Sequence, residues 1–359
     1  MLFRSTQPSG SGTTVEIPVE LNKNNRILAL TTAMSTPHEV EYSIFPYLAA
    51  AAGVNAAEIG AGMTIGEEGK LDDKAPVIPG LTGGEEMKLE NSEYLKIFKY
   101  DGGISLIEID MTKNSVLDPE YLEKHKDENA DDADTEEAAA EEEIVNEETG
   151  EKETKPAEEY VADQYRKDIV KYLVAPEKAE LPAGLEKQVV VIRRPVENLY
   201  ASSEEAAAAL DKLGLLDLVK TLGMEEEDIE NETFKEALKD EKLFLAGKAD
   251  EPDYKTIVKE KTGMGFMTGT LLPLNEDVMK DRNLTPDEKA EDLTTKEYRE
   301  RLYGMTDKCA TLGIPVLMDR SADEKDEKGA AEWIMVYGLL FDKEEEAKTI
   351  LDNTLKELD

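Results

Sequence analysis

Six side chains sit where this chain could hold a small oxygen-rich ligand: Tyr200, Ser202, Ser203, Lys248, Thr268 and Arg320. Each lies within or just after a short apolar run, at the point where polar residues begin. Hydroxyls donate and accept hydrogen bonds, and an ammonium or a guanidinium fork adds charge for carboxylate or other anionic oxygens. That is binding chemistry, and nothing beside it supplies catalysis. The chain has no GxSxG elbow, Walker loop, HExxH or GxGxxG, and the glycines of MGFMTGT (264–270) are wrongly spaced for a phosphate cradle. The single cysteine, Cys309 in TDKCATLGIPVL, reads as a small core hydrophobe. With only His38 and His125, a three-histidine metal site is excluded. No catalytic residue, resident metal or cofactor is therefore assigned, and the chain is not read as an enzyme.

Presenting those loops together requires strands that all point the same way. From Val196 onward the pattern predicts a strand at Glu197–Ala201 and a helix at Glu204–Leu222, with Ala207, Leu210, Leu213, Leu216 and Leu222 as its buried stripe. Ser202 followed by Glu205 predicts a capping box. Next come a strand at Leu243–Ala246, a helix at Tyr254–Lys261, a strand at Met264–Thr268, a long helical stretch to Leu312 and a strand at Pro315–Asp319. Helices at Ala330–Leu340 and Glu344–Leu358 complete the order. Repeated strand–helix units predict an α/β fold, an open parallel sheet with helices on both faces, whose ligands meet the loops leaving the carboxyl ends of its strands.

Upstream, Leu95–Asp110 alternates apolar and polar residues around Asp101-Gly102-Gly103, which predicts a β-hairpin; Tyr172–Pro182 and Gln188–Arg193 continue the strand-rich character. Between them, residues 126–160 form an acidic insertion. From Asp127 to Glu159 it holds 16 acidic residues against two lysines, too much like charge and too little apolar surface to fold on its own. It also lacks the glycine and alternation of an EF-hand loop. The reading divides the chain into a linker at 1–13, a small α+β domain at 14–90, the hairpin element at 91–125, the insertion, a binding lobe at 161–343 and a C-terminal helix at 344–359. Within 14–90, Asn25–Ala33 reads as a strand and Ile44–Val54 as a buried helix.

The 359 residues carry 81 acidic against 42 basic side chains, a formal charge of -39 that repels nucleic acid and anionic lipid. The most apolar stretch, Ile44–Val54, is about half of the roughly 20 residues that a membrane-spanning helix needs.

The ordered phrases VVVIRRPVENLYASS (189–203), LDKLGLLDLV (210–219), FLAGKADEPDYKTIV (244–258), LGIPVLMDRSADE (312–324) and GAAEWIMVYGLLFDKEEEA (329–347) carry a resemblance. From about Leu95 to Ala347 the chain resembles the substrate-binding proteins of ABC importers for iron-siderophore, haem and corrinoid complexes, the class whose two lobes are joined by a helix. The likeness makes residues 189–203 the first strand and ligand loop of the lobe, and implies a non-catalytic amino-terminal lobe that captures a metal chelate and delivers it to a membrane permease. It makes Tyr200, Ser202, Ser203, Lys248, Thr268 and Arg320 ligand contacts, and makes Glu251, Asp253 and Glu332 candidates for docking on basic permease residues. It also implies an extracytoplasmic, membrane-associated location, with the signal not present in this chain. The segment EKDEKGAAEWI departs from the His-Pro-Leu-Gly-Arg run of relatives. After Glu344–Leu358 no further strand–helix units follow, so the lobe alone would expose half a cleft and bind weakly unless a second lobe on another chain completed the site. The alternative is a non-catalytic acidic surface or interaction protein with a degenerate lobe.

Overall fold

A computed structural model describes residues 2–6, 14–21, 27–30, 65–125, 157–182, 185–268, 271–285 and 293–359. The chain forms two compact units, Met1–Ile65 and Gly66–Asp359. In the first, β1 (Leu2–Thr6), β2 (Thr14–Leu21) and β3 (Ile27–Leu30) pair antiparallel in chain order. β1 corrects the linker reading of 1–13: Leu2, Phe3 and Thr6 suit a pleated strand, and Leu2–Thr6 finds a complete partner in Thr14–Pro18. β3 lies within the strand read at Asn25–Ala33. The helix read at Ile44–Val54 and the acidic stretch 126–156 lie outside the described residues.

The second unit starts earlier than the block boundary read at residue 90, because β4 (Gly83–Met87) belongs to its first sheet. That sheet runs β4, β5 (Leu95–Tyr100), β6 (Ile104–Asp110), β7 (Ile169–Pro176), β8 (Val190–Arg194), antiparallel until β8 pairs parallel with β7. The β5–β6 hairpin turns at Asp101-Gly102-Gly103, where both glycines take the left-handed φ that the turn requires (79° and 73°). β6 and β7 are bonded neighbours although the acidic stretch lies between them in sequence. One face of this sheet, through Leu95, Ile97, Ile107, Ile109, Tyr172, Val190 and Ile192, joins the main core. On the opposite face Phe98, Leu106 and Leu173 are also buried, and segment 66–82 is tied there, in part by the Tyr100 hydroxyl donating to the Pro76 carbonyl at 2.6 Å.

The second sheet is wholly parallel, in the order β11 (Phe244–Leu245), β10 (Val219–Leu222), β9 (Leu199–Ala201), β12 (Met264–Met267), β13 (Val316–Met318). Every residue of β9, β12 and β13 is buried, which is why LYA, MGFM and VLM read as apolar runs rather than alternating ones. The helices Glu204–Lys212, Glu232–Lys239, Tyr254–Lys259 and Thr295–Thr311 lie in the crossovers, and Glu327–Glu332, Ile334–Leu340 and Glu344–Leu358 follow β13.

Two readings of this region are corrected. The helix expected to reach Leu222 stops at Lys212. Gly214 turns left-handed (φ 66°), its N–H bonds to Asp211 at 2.9 Å, and the Leu215 N–H bonds to Leu210 at 2.8 Å, a Schellman stop. The leucines beyond it form a single turn at Leu216–Leu218 and then β10, a fifth parallel strand that the leucine spacing disguised as helix. The Val189–Arg193 run is β8, the edge of the other sheet, rather than the first strand of the parallel one.

Candidate functional site

Strand order reverses at β9: β10 and β11 are added on one side, β12 and β13 on the other. Loops that leave neighbouring strands in opposite directions open a crevice at the carboxyl edge, the usual place for a ligand in such sheets. At this edge the Ser202 N–H bonds to the Phe266 carbonyl at 2.9 Å, so Ser202 and Ser203, after β9, sit beside Thr268, after β12. Ser203, not Ser202, caps the helix Glu204–Lys212: its Oγ accepts the Ala206 N–H at 3.2 Å. The cap lies one residue later than read because Ser202 still extends the β ladder. The Glu204 carboxylate turns to the next loop, accepting the Glu230 and Asn231 N–H groups at 3.0 and 2.7 Å.

Lys248 follows β11, two strand spacings or about 10 Å from Ser202 across the sheet. Its side chain is 61% exposed, with Nζ 3.8 Å from a Glu225 carboxylate oxygen, an arrangement that leaves the ammonium open to an incoming anion. The loop around it is pinned where Gly247 (φ 76°) bridges Pro252, and a β-carbon on Gly247 would strike the Glu251 carbonyl. Glu251 is exposed. Asp253 caps Tyr254–Lys259, accepting the Lys255 N–H at 3.0 Å and the Thr256 hydroxyl at 2.8 Å, and the Thr256 bond holds its carboxyl below the usual range.

Ser202, 3% exposed, is buried at this edge, whereas Ser203 and Thr268 are half-buried, and three further residues read as site groups are turned inside the fold. Arg320 is 1% exposed: Nε donates to Asp323 at 2.8 Å, Nη1 to the carbonyls of Asp110 and Lys113 at 2.8 and 3.0 Å, and the guanidinium stacks 4.2 Å from the centre of the Tyr94 ring. It joins the end of β13 to the mixed sheet, and burial removes it from a ligand. Glu332, 3% exposed, accepts the N–H groups of Glu90, Asn91 and Ser92 (2.8, 3.0 and 2.8 Å) and the Asn91 side-chain amide at 2.8 Å, so no permease surface reaches it. Tyr200 is turned into the core by the strand pleat. Its hydroxyl lies against Gly223, where a β-carbon would collide with it, and has no hydrogen-bond partner; burial pushes its pKa up.

Sequence reasoning missed the carboxyl groups that assemble this end of the sheet. Asp319 accepts the Tyr337 hydroxyl at 2.5 Å and the Ser321 N–H at 2.7 Å, and burial raises its pKa. Glu324 takes the Ser92 hydroxyl, the Glu93 N–H at 2.8 Å and the Trp333 indole N–H at 2.8 Å. A motif search has no signal for such groups, since acidic residues are everywhere in this chain. Asp319, Ser321, Lys212 and Trp333 border a cavity of about 70 Å³, far below the roughly 300 Å³ at which drug-sized ligand pockets begin. Among the described residues no cluster of His, Cys, Asp and Glu is built to hold a metal. The Cys309 thiol is buried and pushed up to about 12, which suits a core residue rather than a nucleophile.

No protein-family model matches the chain, and no curated protein does. Among solved structures, the petrobactin-binding protein YclQ from Bacillus subtilis is similar at 17% identity and a TM-score of 0.27, over 44% of this chain and 43% of that one. The siderophore-binding protein BauB, bound to acinetobactin and ferric iron, gives 14%, 0.28, 45% and 45%. Staphylococcus aureus SirA, complexed with staphyloferrin B, gives 17%, 0.27, 44% and 41%. The chain thus spans less than half the length of each.

Proposed function

We propose that the parallel sheet forms a solute-binding lobe whose ligand is an oxygen-rich metal chelate (an iron-siderophore, haem or corrinoid complex), captured without chemistry and passed to an ABC permease. The observation that supports this is the reversal of strand order between β9 and β12, which sets Ser202, Ser203 and Thr268 along one carboxyl edge with Lys248 at its flank. Hydroxyls there bond ligand oxygens, and Lys248 is the cation for an anionic arm. The metal is cargo, held by the chelator. Glu251 and Asp253, on the loop beside Lys248, are the carboxylates that remain open to a basic permease surface. The location that goes with this role is extracytoplasmic, and a partner lobe closes the crevice.

The second reading, an acidic interaction protein with a degenerate lobe, is favoured by one observation: Arg320, the strongest anion ligand expected from the sequence, is spent inside the fold. Calorimetric titration with ferric siderophores, haemin and cobalamin separates the two. Trp333 is buried with its indole N–H on Glu324, so its fluorescence is a poor reporter of the edge. Saturable heat at micromolar chelate that falls in Lys248→Ala and Thr268→Ala supports the binding lobe; no heat with any of the three classes overturns it.

A further inference from the structure

On the face of the mixed sheet where segment 66–82 is tied, a lysine and two carboxylates are buried together. Glu108 of β6 and Lys171 of β7 are direct cross-strand partners, and Asp72 reaches them from segment 66–82. Lys171 Nζ lies 2.7 Å from Asp72 Oδ2 and 2.7 Å from Glu108 Oε1, with side-chain exposures of 8%, 5% and 0% for Lys171, Asp72 and Glu108. The Asp72 carboxyl is held in place from two sides. Its own N–H donates to Glu108 Oε2 at 2.9 Å, and the Glu67 N–H donates to its Oδ1 at 2.7 Å. Gly66, left-handed at φ 74°, closes over the group, since a β-carbon there would collide with both Asp72 Oδ2 and Lys171 Nζ. Lys96, the partner of Glu108 on β5, is engaged by Glu86 at 2.6 Å, and the Tyr100 hydroxyl by Pro76.

This arrangement exceeds what an ion pair needs. It holds an amine, a carboxyl carbon and a second carboxylate in reacting order, shielded from water. We propose that Lys171 and Asp72 become joined by a self-formed amide bond, with Glu108 carrying the protons. The nitrogen lone pair of Lys171 forms the bond to Cγ of Asp72, and the bond from Cγ to one carboxylate oxygen breaks. Of the three ammonium protons, two leave on that oxygen as water and the third stays on the amide nitrogen; Glu108 relays the two in turn and ends unchanged. An ammonium and a carboxylate become a neutral amide and water, so atoms and charge balance with no oxidant, reductant or co-reactant.

Three features favour the step. Enforced contact converts a slow bimolecular condensation into an intramolecular one. Excluding water protects the amide, once formed, from hydrolysis. Glu108 Oε1, although near Lys171, accepts no directed hydrogen bond, and burial raises the Glu108 carboxyl to about 7, where it takes up and releases protons near neutrality. The bond would close a covalent ring across residues 99 apart in sequence, with the acidic stretch inside it.

Mass spectrometry of the intact, full-length protein tests this. The expected mass is that of the sequence less one water, and digestion yields a branched peptide containing Asp72 and Lys171. A full sequence mass in folded protein after prolonged incubation at neutral pH overturns the proposal. So does a water loss without the branched peptide, as cyclisation at Asp101-Gly102 would produce. Lys171→Arg and Asp72→Ala retain the full mass. Glu108→Gln, folded by circular dichroism, is expected to retain it as well, and branched peptide from that variant overturns the relay assigned to Glu108. A measurement needing no variant is cleavage within the acidic stretch: the halves migrate as one species on a denaturing gel, whereas separation into two overturns the ring.

Discussion

The two sheets of the second unit treat polar groups in opposite ways. The parallel sheet is apolar on both faces through β9, β12 and β13 and pushes its hydroxyls to the carboxyl edge, where Ser202, Ser203 and Thr268 meet. The mixed sheet takes charge into its interior, at Glu108 and Lys171, and uses it to hold segment 66–82. The difference teaches where to seek function in an acidic protein. A polar side chain at a strand end, such as the half-buried Ser203 and Thr268, can stay within reach of a ligand. One in mid-strand must be neutralised by a neighbour, and there it either stabilises or reacts.

The contrast breaks most readily at Lys171. Lys171→Met leaves two carboxyls buried without a cation and is expected to cost about 3–5 kcal/mol in urea unfolding, while chelate binding by the surviving folded fraction stays unchanged. The same cluster sets a pH dependence. Burial holds the folded Glu108 carboxyl near 7, above its ordinary value of 4.5, so its contribution to stability is present below 4.5 and lost as pH rises through 7. Burial, the largest cause, persists whether or not Lys171 and Asp72 are joined. In protein whose amide has not formed, Asp72 acts in the other direction: burial pushes its carboxyl up, but the bonds to Glu108 and Lys171 outweigh it and hold the carboxyl low, so its contribution is present above 3.8 and lost as pH falls further. Glu108→Gln should flatten the decline between about pH 5 and 7 in melts across that range, and an unchanged slope would detach the effect from Glu108.

Glu332→Ala comes next. It strands the N–H groups of Glu90, Asn91 and Ser92 and is expected to cost about 3 kcal/mol, read as faster hydrogen exchange at those amides. Gly223→Ala drives a methyl into the Tyr200 phenol and should cost about 1–3 kcal/mol, whereas Tyr200→Phe removes an unpartnered hydroxyl and should leave stability equal or slightly higher. Loss of chelate binding in Tyr200→Phe would return that residue to the ligand site. Ser203→Ala loses a helix cap, about 1 kcal/mol by thermal melt. Smallest is Lys248→Ala, within about 0.5 kcal/mol of wild type in stability, with its effect confined to chelate affinity.

Local structure was legible where neighbours in sequence decide it. Asp101-Gly102-Gly103 announces its hairpin because the turn needs left-handed residues, and MGFM and VLM announce buried parallel strands because no polar residue interrupts them. Leu213–Leu222 misled because leucine spacing suits a helix, while the decisive residue was Gly214, whose left-handed turn ends it.

What the amino-acid order determined by itself is the α/β alternation, the position of the acidic stretch between two strands, and the polar edge after β9 and β12. What only the tertiary structure decided is the fate of individual charges. Arg320 and Glu332 became fasteners, and Asp72, Glu108 and Lys171, far apart along the chain, became neighbours. The reason is physical: backbone preference is set by residues a few positions away, but burial and partnership depend on which distant strands pair and in what register.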